Sequence, residues 1–213
     1  MTSASLKHVA IAGNIGAGKT TLVRKLASHY GWEAHLEAVD NNPYLKDFYE
    51  DMATWAFPLQ IYFLHSRFNQ VRSIRQGSAP VIQDRTIYED AYIFARNLRK
   101  SGLLSERDHQ NYLTLFECMI EMLEAPDLLI YLKASLSKLQ KQIQRRGRDF
   151  ELDINPQYLI DLNEHYEDWI GGYQEGKLIV IEVDELDYVQ RPEDLEYIIQ
   201  QIDSAVQSSQ PTY

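Results

Sequence analysis

The stretch "GNIGAGKTT" at residues 13–21 follows the apolar run "HVAIA" and leads into "LVRKLASHY". Gly13-x-x-x-x-Gly18-Lys19-Thr20 is a complete phosphate-loop pattern in the strand–loop–helix setting that gives the pattern meaning. Its glycines let backbone N–H groups turn inward on phosphate oxygens, and the helix N-terminus adds a positive dipole. Gly13, Asn14, Ile15, Gly16, Ala17, Gly18, Lys19, Thr20 and Thr21 are therefore the nucleotide-binding candidates. Lys19 is expected on the β/γ-phosphates and Thr20 on Mg²⁺, which makes ATP and Mg²⁺ the implied cofactors. A loop of this kind does not name the phosphate acceptor.

The rest of the chain continues the same alternation. Strand-like apolar runs recur at 8–12, 33–37, 80–84, 128–132 and 178–183, several of them continuous, as in strands covered on both faces. Helical stretches are expected at 19–30, 58–76 (begun by Pro58), 87–100, 105 to about 124, 135–146, 156–170 and 192–206. This is an α/β doubly wound pattern, with ligands expected at the carboxyl ends of parallel strands. No linker or repeat interrupts it, so residues 1–206 are expected to form one domain and 207–213 a disordered tail. A formal charge of −10 argues against a nucleic-acid partner, which needs a basic face. No apolar run reaches the length of a membrane span, and no signal-peptide core precedes the first strand. Cys118, the lone cysteine, allows no internal disulfide and reads as a small buried apolar side chain; together these features predict a cytoplasmic protein.

Three constellations bear on the acceptor. Glu37 closes the second strand, where a carboxylate could orient and deprotonate a hydroxyl. Alone it reads equally well as a surface acid. Asp84-Arg85 ends the third strand, where Asp84 suits an Mg²⁺ ligand and Arg85 could neutralise phosphate or hold Glu37 in place. Asp90 and Phe94, four apart, share a face of the next helix. Phe94 by itself would be read as core. "QRRGRDFELD" sets Arg145, Arg146 and Arg148 around Gly147, followed by Glu151, which suits a lid (about 145–153) closing over transferring phosphate. Without the phosphate loop the same arginines would be a solvated helix end.

Taken in order, these motifs resemble the deoxynucleoside kinases of the deoxyadenosine/deoxyguanosine/deoxycytidine type, from the phosphate loop to about Trp169. The resemblance implies a P-loop kinase fold with a five-stranded parallel sheet wrapped by helices and an Arg-rich lid, usually as a homodimer paired through helices. "YLTLFECMIEML" is then the pairing face. It implies Glu37 as the base for the nucleoside 5′-hydroxyl. In "YEDMATWAFPLQIYFLHSR" it implies Tyr49 on the sugar 3′-hydroxyl, Trp55 as a pocket wall, Gln60 on the base edge and Arg67 beside it. Asp84-Arg85-Thr86 matches the family's "(E/D)-R-S" element. Asp90 then meets the base and Phe94 stacks on it. "RRGRDFE" resembles the family's "R-G-R-x-x-E", giving Arg146 and Arg148 to phosphates and Glu151 to the 3′-hydroxyl. Two positions depart from the pattern. Gln142 stands where animal members often carry a further arginine, with Arg145 close by, and Ala38 follows Glu37 where many members have proline.

The expected activity is ATP-dependent 5′-phosphorylation of a deoxynucleoside, with deoxyadenosine first, deoxyguanosine or deoxycytidine next, and thymidine poor. A thymidylate kinase-like enzyme would need more cations near the acceptor than Arg67 alone. A P-loop switch that transfers phosphate only to water would need no base-sized pocket.

Overall fold

The computed structural model describes residues 6–37, 42–152 and 154–207, with backbone alone for 149 and 150. β1 (His8–Gly13), β2 (Glu33–His35), β3 (Val81–Asp84), β4 (Leu128–Lys133) and β5 (Lys177–Glu182) form one sheet in the order β2-β3-β1-β4-β5. Every pairing is parallel. Alternation within the strands sends side chains to two layers. Val9, Ile11, Leu128 and Ile130 pack with α1 (Lys19–Tyr30), α7 (Leu136–Arg146) and α10 (Pro192–Gln207). Ala10, Ala12, Leu129 and Tyr131 face the opposite layer. That layer holds α3 (Met52–Gln76), the segment 87–100, α6 (Glu106–Ile120) and α9 (Pro156–Gly171). The apolar side chains β1 offers there are alanines, beside the large buried rings of Tyr112, Phe116 and Tyr166.

The helices depart from expectation at their ends. α3 begins at Met52 and encloses Pro58. Asp51 caps it, accepting from the Thr54 N–H and hydroxyl at 3.2 and 2.6 Å. A side-chain cap nucleates the helix ahead of the proline, whose missing N–H is then lost from the second turn. α2 (Leu45–Glu50) and the single turn α8 (Asp149–Leu152) are additional. The segment 87–100 is interrupted: α4 (Ile87–Glu89) passes through a π-helical stretch, Asp90–Ala95, into α5 (Arg96–Lys100). The widened turn is marked by the Arg96 N–H reaching back to the Ala91 carbonyl. Such insertions recur at functional sites, and Asp90 opens this one. Gln207 belongs to α10, whereas the rest of the expected tail, residues 208–213, lies outside the described residues. Cys118 is exposed on α6, because the buried face of that amphipathic helix is carried by Tyr112 and Phe116.

Candidate active site

Parallel register brings the carboxyl ends of β1 and β3 together. Ile11 stands opposite Asp84, so the chain leaving β3 lies beside the phosphate loop. Gly13, Gly16 and Gly18 have φ of 151°, 87° and 94°, a region L side chains rarely adopt. A Cβ on Gly18 would also lie 2.0 Å from the Tyr188 hydroxyl. Lys19 is buried and donates to the Gly13 and Asn14 carbonyls at 2.7 and 3.0 Å. Burial, assisted by the Arg85 charge, lowers its pKa to about 8. Thr20 Oγ1 donates to Asp84 Oδ2 at 2.5 Å. Asp84 Oδ1 is buried with no hydrogen-bond partner, and burial raises the pKa of this carboxyl.

Glu37 lies between two buried arginines, with its Oε1 2.9 Å from both Arg67 Nη2 and Arg85 Nε. The Arg67 contact is a hydrogen bond; the Arg85 contact is an ion pair whose N–H is not aligned on the oxygen. Burial pushes the Glu37 carboxyl up, but Arg85, Arg67 and Lys19 together outweigh it and hold its pKa at about 2. Arg67 also donates to Asp90 Oδ2 and Oδ1 at 3.1 and 3.4 Å, and to the Asp84 carbonyl at 3.1 Å. Burial raises the Asp90 pKa to about 6 against the opposing pull of Arg67. Removing either partner of this pair leaves an uncompensated buried charge, at a cost of about 3–5 kcal/mol.

Arg85 is the one non-glycine among the described residues with positive φ, 71°. Left-handed backbone costs about 1–3 kcal/mol and survives where the surroundings over-determine it. Here the Arg85 N–H donates to the Ile11 carbonyl at 2.9 Å. Its Nη1 donates to Tyr166 Oη at 2.8 Å and Glu89 Oε1 at 3.2 Å, and its guanidinium lies 4.5 Å from the Phe94 ring centre.

These groups border a cleft of about 560 Å³ running from the phosphate loop past Glu37 to Gln60, Asp90 and Phe94. Gln60 is buried, and its Oε1 has no hydrogen-bond partner. Tyr49 lines the same space, its hydroxyl pKa raised by burial. On the far side stand Gln142, Arg145, Arg146, Arg148 and Glu151. Glu151 is buried and pairs with both Arg146 and Arg148, the latter at 3.3 Å.

Of the residues expected on the substrate, Trp55 and Arg67 do not border the cleft. Of those expected on nucleotide or Mg²⁺, Gly13, Asn14, Ala17 and Asp84 lie behind its lining. Trp55 packs with Tyr44, ring centres 5.9 Å apart, beside the cluster of Phe48 and Leu59. Five residues separate it from Gln60, which turns it about 140° round α3. Phe48, Leu59 and Phe63 form the wall instead. Arg67 stands behind the wall and reaches Glu37 and Asp90 rather than the cleft. Ala38 lies outside the described residues. Glu89 and Tyr166 were not foreseen. Glu89 was legible as the acid of a Thr-x-x-Glu capping box on Thr86, a pattern that foretells a cap and not a contact with Gly13. Tyr166 carries no local signal.

A glycine-bent anion loop, a half-buried carboxylate held by two arginines and an arginine-bearing segment around one cleft define a P-loop kinase. The deoxynucleoside kinase family profile matches residues 9–207. The chain is 37% identical over 204 residues to a deoxyadenosine/deoxycytidine kinase of Bacillus subtilis, covering 95% of this chain and 94% of that protein. It is 36% identical to a deoxyadenosine kinase of Lactobacillus acidophilus, covering 93% and 95%. A deoxyadenosine kinase from M. mycoides, solved with dATP bound, superposes with a TM-score of 0.82 at 30% identity, covering 92% of this chain and 99% of that one. The chain belongs to the deoxynucleoside kinase family and phosphorylates the 5′-hydroxyl of deoxynucleosides.

Proposed function

We propose that deoxyadenosine is the preferred acceptor, that ATP is the donor, and that Glu37 is the group that engages the 5′-hydroxyl. The observation that carries this reading is the cleft itself. Glu37 lines it with Lys19, and Gln60, whose buried Oε1 is orphaned, lines it with Asp90 and Phe94. An unpaired buried amide is costly unless a ligand completes it, and a side-chain amide can make two bonds to an adenine edge. Asp90 keeps lone pairs beyond those used by Arg67, and can accept from the exocyclic amino group of adenine or cytosine, which thymine lacks. Phe94 offers the base a stacking face worth about 1–3 kcal/mol.

A carboxyl held at about pKa 2 is a weak base near neutrality. Glu37 therefore acts first by orienting the hydroxyl, and takes its proton late, as the loose transition state of phosphoryl transfer makes that proton acidic. Arg85 fixes Glu37 through the ion pair. Arg146 and Arg148 meet the charge spreading over the transferring phosphoryl oxygens, and Glu151 and Tyr49 serve the sugar 3′-hydroxyl.

Magnesium fits the donor set: one hydroxyl, Thr20, and one carboxylate with a free buried oxygen, Asp84, alongside nucleotide phosphates. When bound, the ion neutralises phosphate charge. No group of three or more His, Cys, Asp or Glu side chains among the described residues could hold a metal without the nucleotide. We also propose one catalytic domain, residence in the cytoplasm, and a homodimer. The α6 face, with exposed Leu115 within the helix and exposed Met122 just beyond its end, supports the last. No described helix is long and apolar enough to cross a membrane.

The test is direct: purified protein, ATP-Mg²⁺ and each of the four deoxynucleosides in turn. The largest kcat/KM is expected for deoxyadenosine and the smallest for thymidine. Equal values for those two would overturn the pocket assignment.

A further inference from the structure

Five contacts meet at one buried point between the two halves of the site. Tyr166 Oη lies 2.8 Å from the Gly13 carbonyl, 2.7 Å from Glu89 Oε1 and 2.8 Å from Arg85 Nη1. Glu89 Oε1 also accepts from Arg85 Nη1 and from the Gly13 N–H, each at 3.2 Å. The first residue of the phosphate loop and the arginine beside Glu37 therefore share the same two partners. Tyr166, Glu89 and Arg85 are all buried, so no solvent competes. We infer that Tyr166, with Glu89, is a positioning pair that couples occupancy of the phosphate loop to placement of Arg85 at the acceptor carboxylate. The inference rests on the acceptor-site assignment above.

Hydrogen-bond accounting sets the direction. Arg85 is donor only, and Glu89 Oε1 and the Gly13 carbonyl are both acceptors, so the single Tyr166 proton must choose between them. Lys19 also donates to that carbonyl, at 2.7 Å, which favours the proton on Glu89. A polyphosphate that draws Lys19 away leaves the carbonyl to Tyr166. The proton then swings to Gly13, and Glu89, relieved of a donor, bonds Arg85 more strongly. Arg85 is fixed against Glu37 and the acceptor site is organised. Donor binding thus tightens nucleoside binding, and by linkage the reverse holds equally. α9 is tied to the same loop a second time, by Asn14 Nδ2 donating to the Leu159 carbonyl and Asn163 Oδ1 at 2.9 and 2.7 Å. The Tyr166 ring is therefore a fixed post on which only the hydroxyl proton turns.

The experiment measures the dissociation constant of deoxyadenosine by calorimetry, with and without a saturating non-hydrolysable ATP analogue. In the wild type the analogue should tighten binding by about 5-fold or more, the lower end of ordinary couplings. Tyr166→Phe keeps the ring stacked on Tyr131, centres 5.5 Å apart, and removes only the hydroxyl. In that variant the ratio should fall to near one while each ligand still binds alone, and the nucleoside KM at saturating ATP should rise by the lost factor. A purely structural role would lower stability and leave the ratio alone. Should Tyr166→Phe fail to fold, Glu89→Gln retains an oxygen for the cap on Thr86 and reports the same ratio. An unchanged ratio in the variant, or a ratio of one in the wild type, overturns the inference. Failure of the wild type to bind any deoxynucleoside overturns the acceptor assignment first, and this inference with it.

Discussion

The amino and carboxyl ends of the sheet both carry polar networks, and they differ in what their unfilled positions face. Around the amino end of β1, most polar groups find protein partners, and the two that do not, His8 Nδ1 and Arg75 Nε, border no cleft. The Lys7 and His8 N–H groups donate to Asp127 Oδ2 at 2.7 and 2.8 Å. His8 Nε2 donates to Gln83 Oε1 at 2.7 Å, Gln83 to Gln70 at 2.7 Å, and Gln70 to the Leu36 carbonyl at 3.2 Å. At the carboxyl end, Asp84 Oδ1 and Gln60 Oε1 are left without partners, Arg85 holds a strained backbone, and all three residues border or adjoin a cleft. The physics of a buried hydrogen bond is the same at both ends. What distinguishes a site from scaffolding is incompleteness facing a ligand-sized space.

That contrast can be broken by experiment. The largest effect belongs to Glu37→Gln, which should lower kcat by ~10²–10⁴-fold while ATP-analogue affinity holds. A near-normal kcat would remove Glu37 from the chemistry. Arg148→Ala comes next, with kcat down by roughly 10²-fold and a smaller rise in nucleoside KM, because the charge it meets develops during transfer. If KM alone rises, the lid only binds. Gln60→Leu should reduce the deoxyadenosine preference over thymidine by about 10-fold, within the ~1–3 kcal/mol of a bidentate contact, and leave the melting temperature unchanged or higher. A large loss of stability would mean Gln60 is scaffold.

The amino end should answer in the opposite currency. Asp127→Ala strands two backbone N–H groups and should cost about 1–3 kcal/mol of stability, a Tm fall of roughly 2–4 °C per kcal/mol, with kcat/KM preserved. Loss of catalysis at constant Tm would erase the distinction between the ends. The smallest effect is the order of acid weakening. Burial lowers the His8 pKa to about 4. The unfolded chain binds that proton first, near ~6.5, so the His8 contribution is present above that pH and lost as pH falls through about 4. Glu37, held at about 2, contributes stability above ~4.3 that is lost as pH falls toward 2. Melting temperatures against pH should show the first step abolished in His8→Gln and the second in Glu37→Gln. A single shared step would show the two ends titrating together.

How much of this was legible follows from range. The phosphate loop and the five strands are local patterns, and they stand within a few residues of where motif and apolar pattern put them. Pro58 misled because a cap almost two turns earlier outweighs a proline's preference for a first turn. Trp55 misled because a motif alignment does not resolve which way round a helix a side chain points.

The sequence by itself determined an α/β kinase with its nucleotide loop, and it pointed to Glu37 for the acceptor and to the arginines around Gly147 for the phosphates, because each is written within a few residues of chain. Only the tertiary structure decided that Arg67 serves Glu37 and Asp90 rather than the cleft, that Arg85 adopts φ 71°, and that Tyr166 reaches Gly13 from 153 residues away. Those outcomes depend on a parallel register and on which faces the layers bury. No spacing along the chain encodes a hydrogen bond whose partners meet only after the sheet has closed around them.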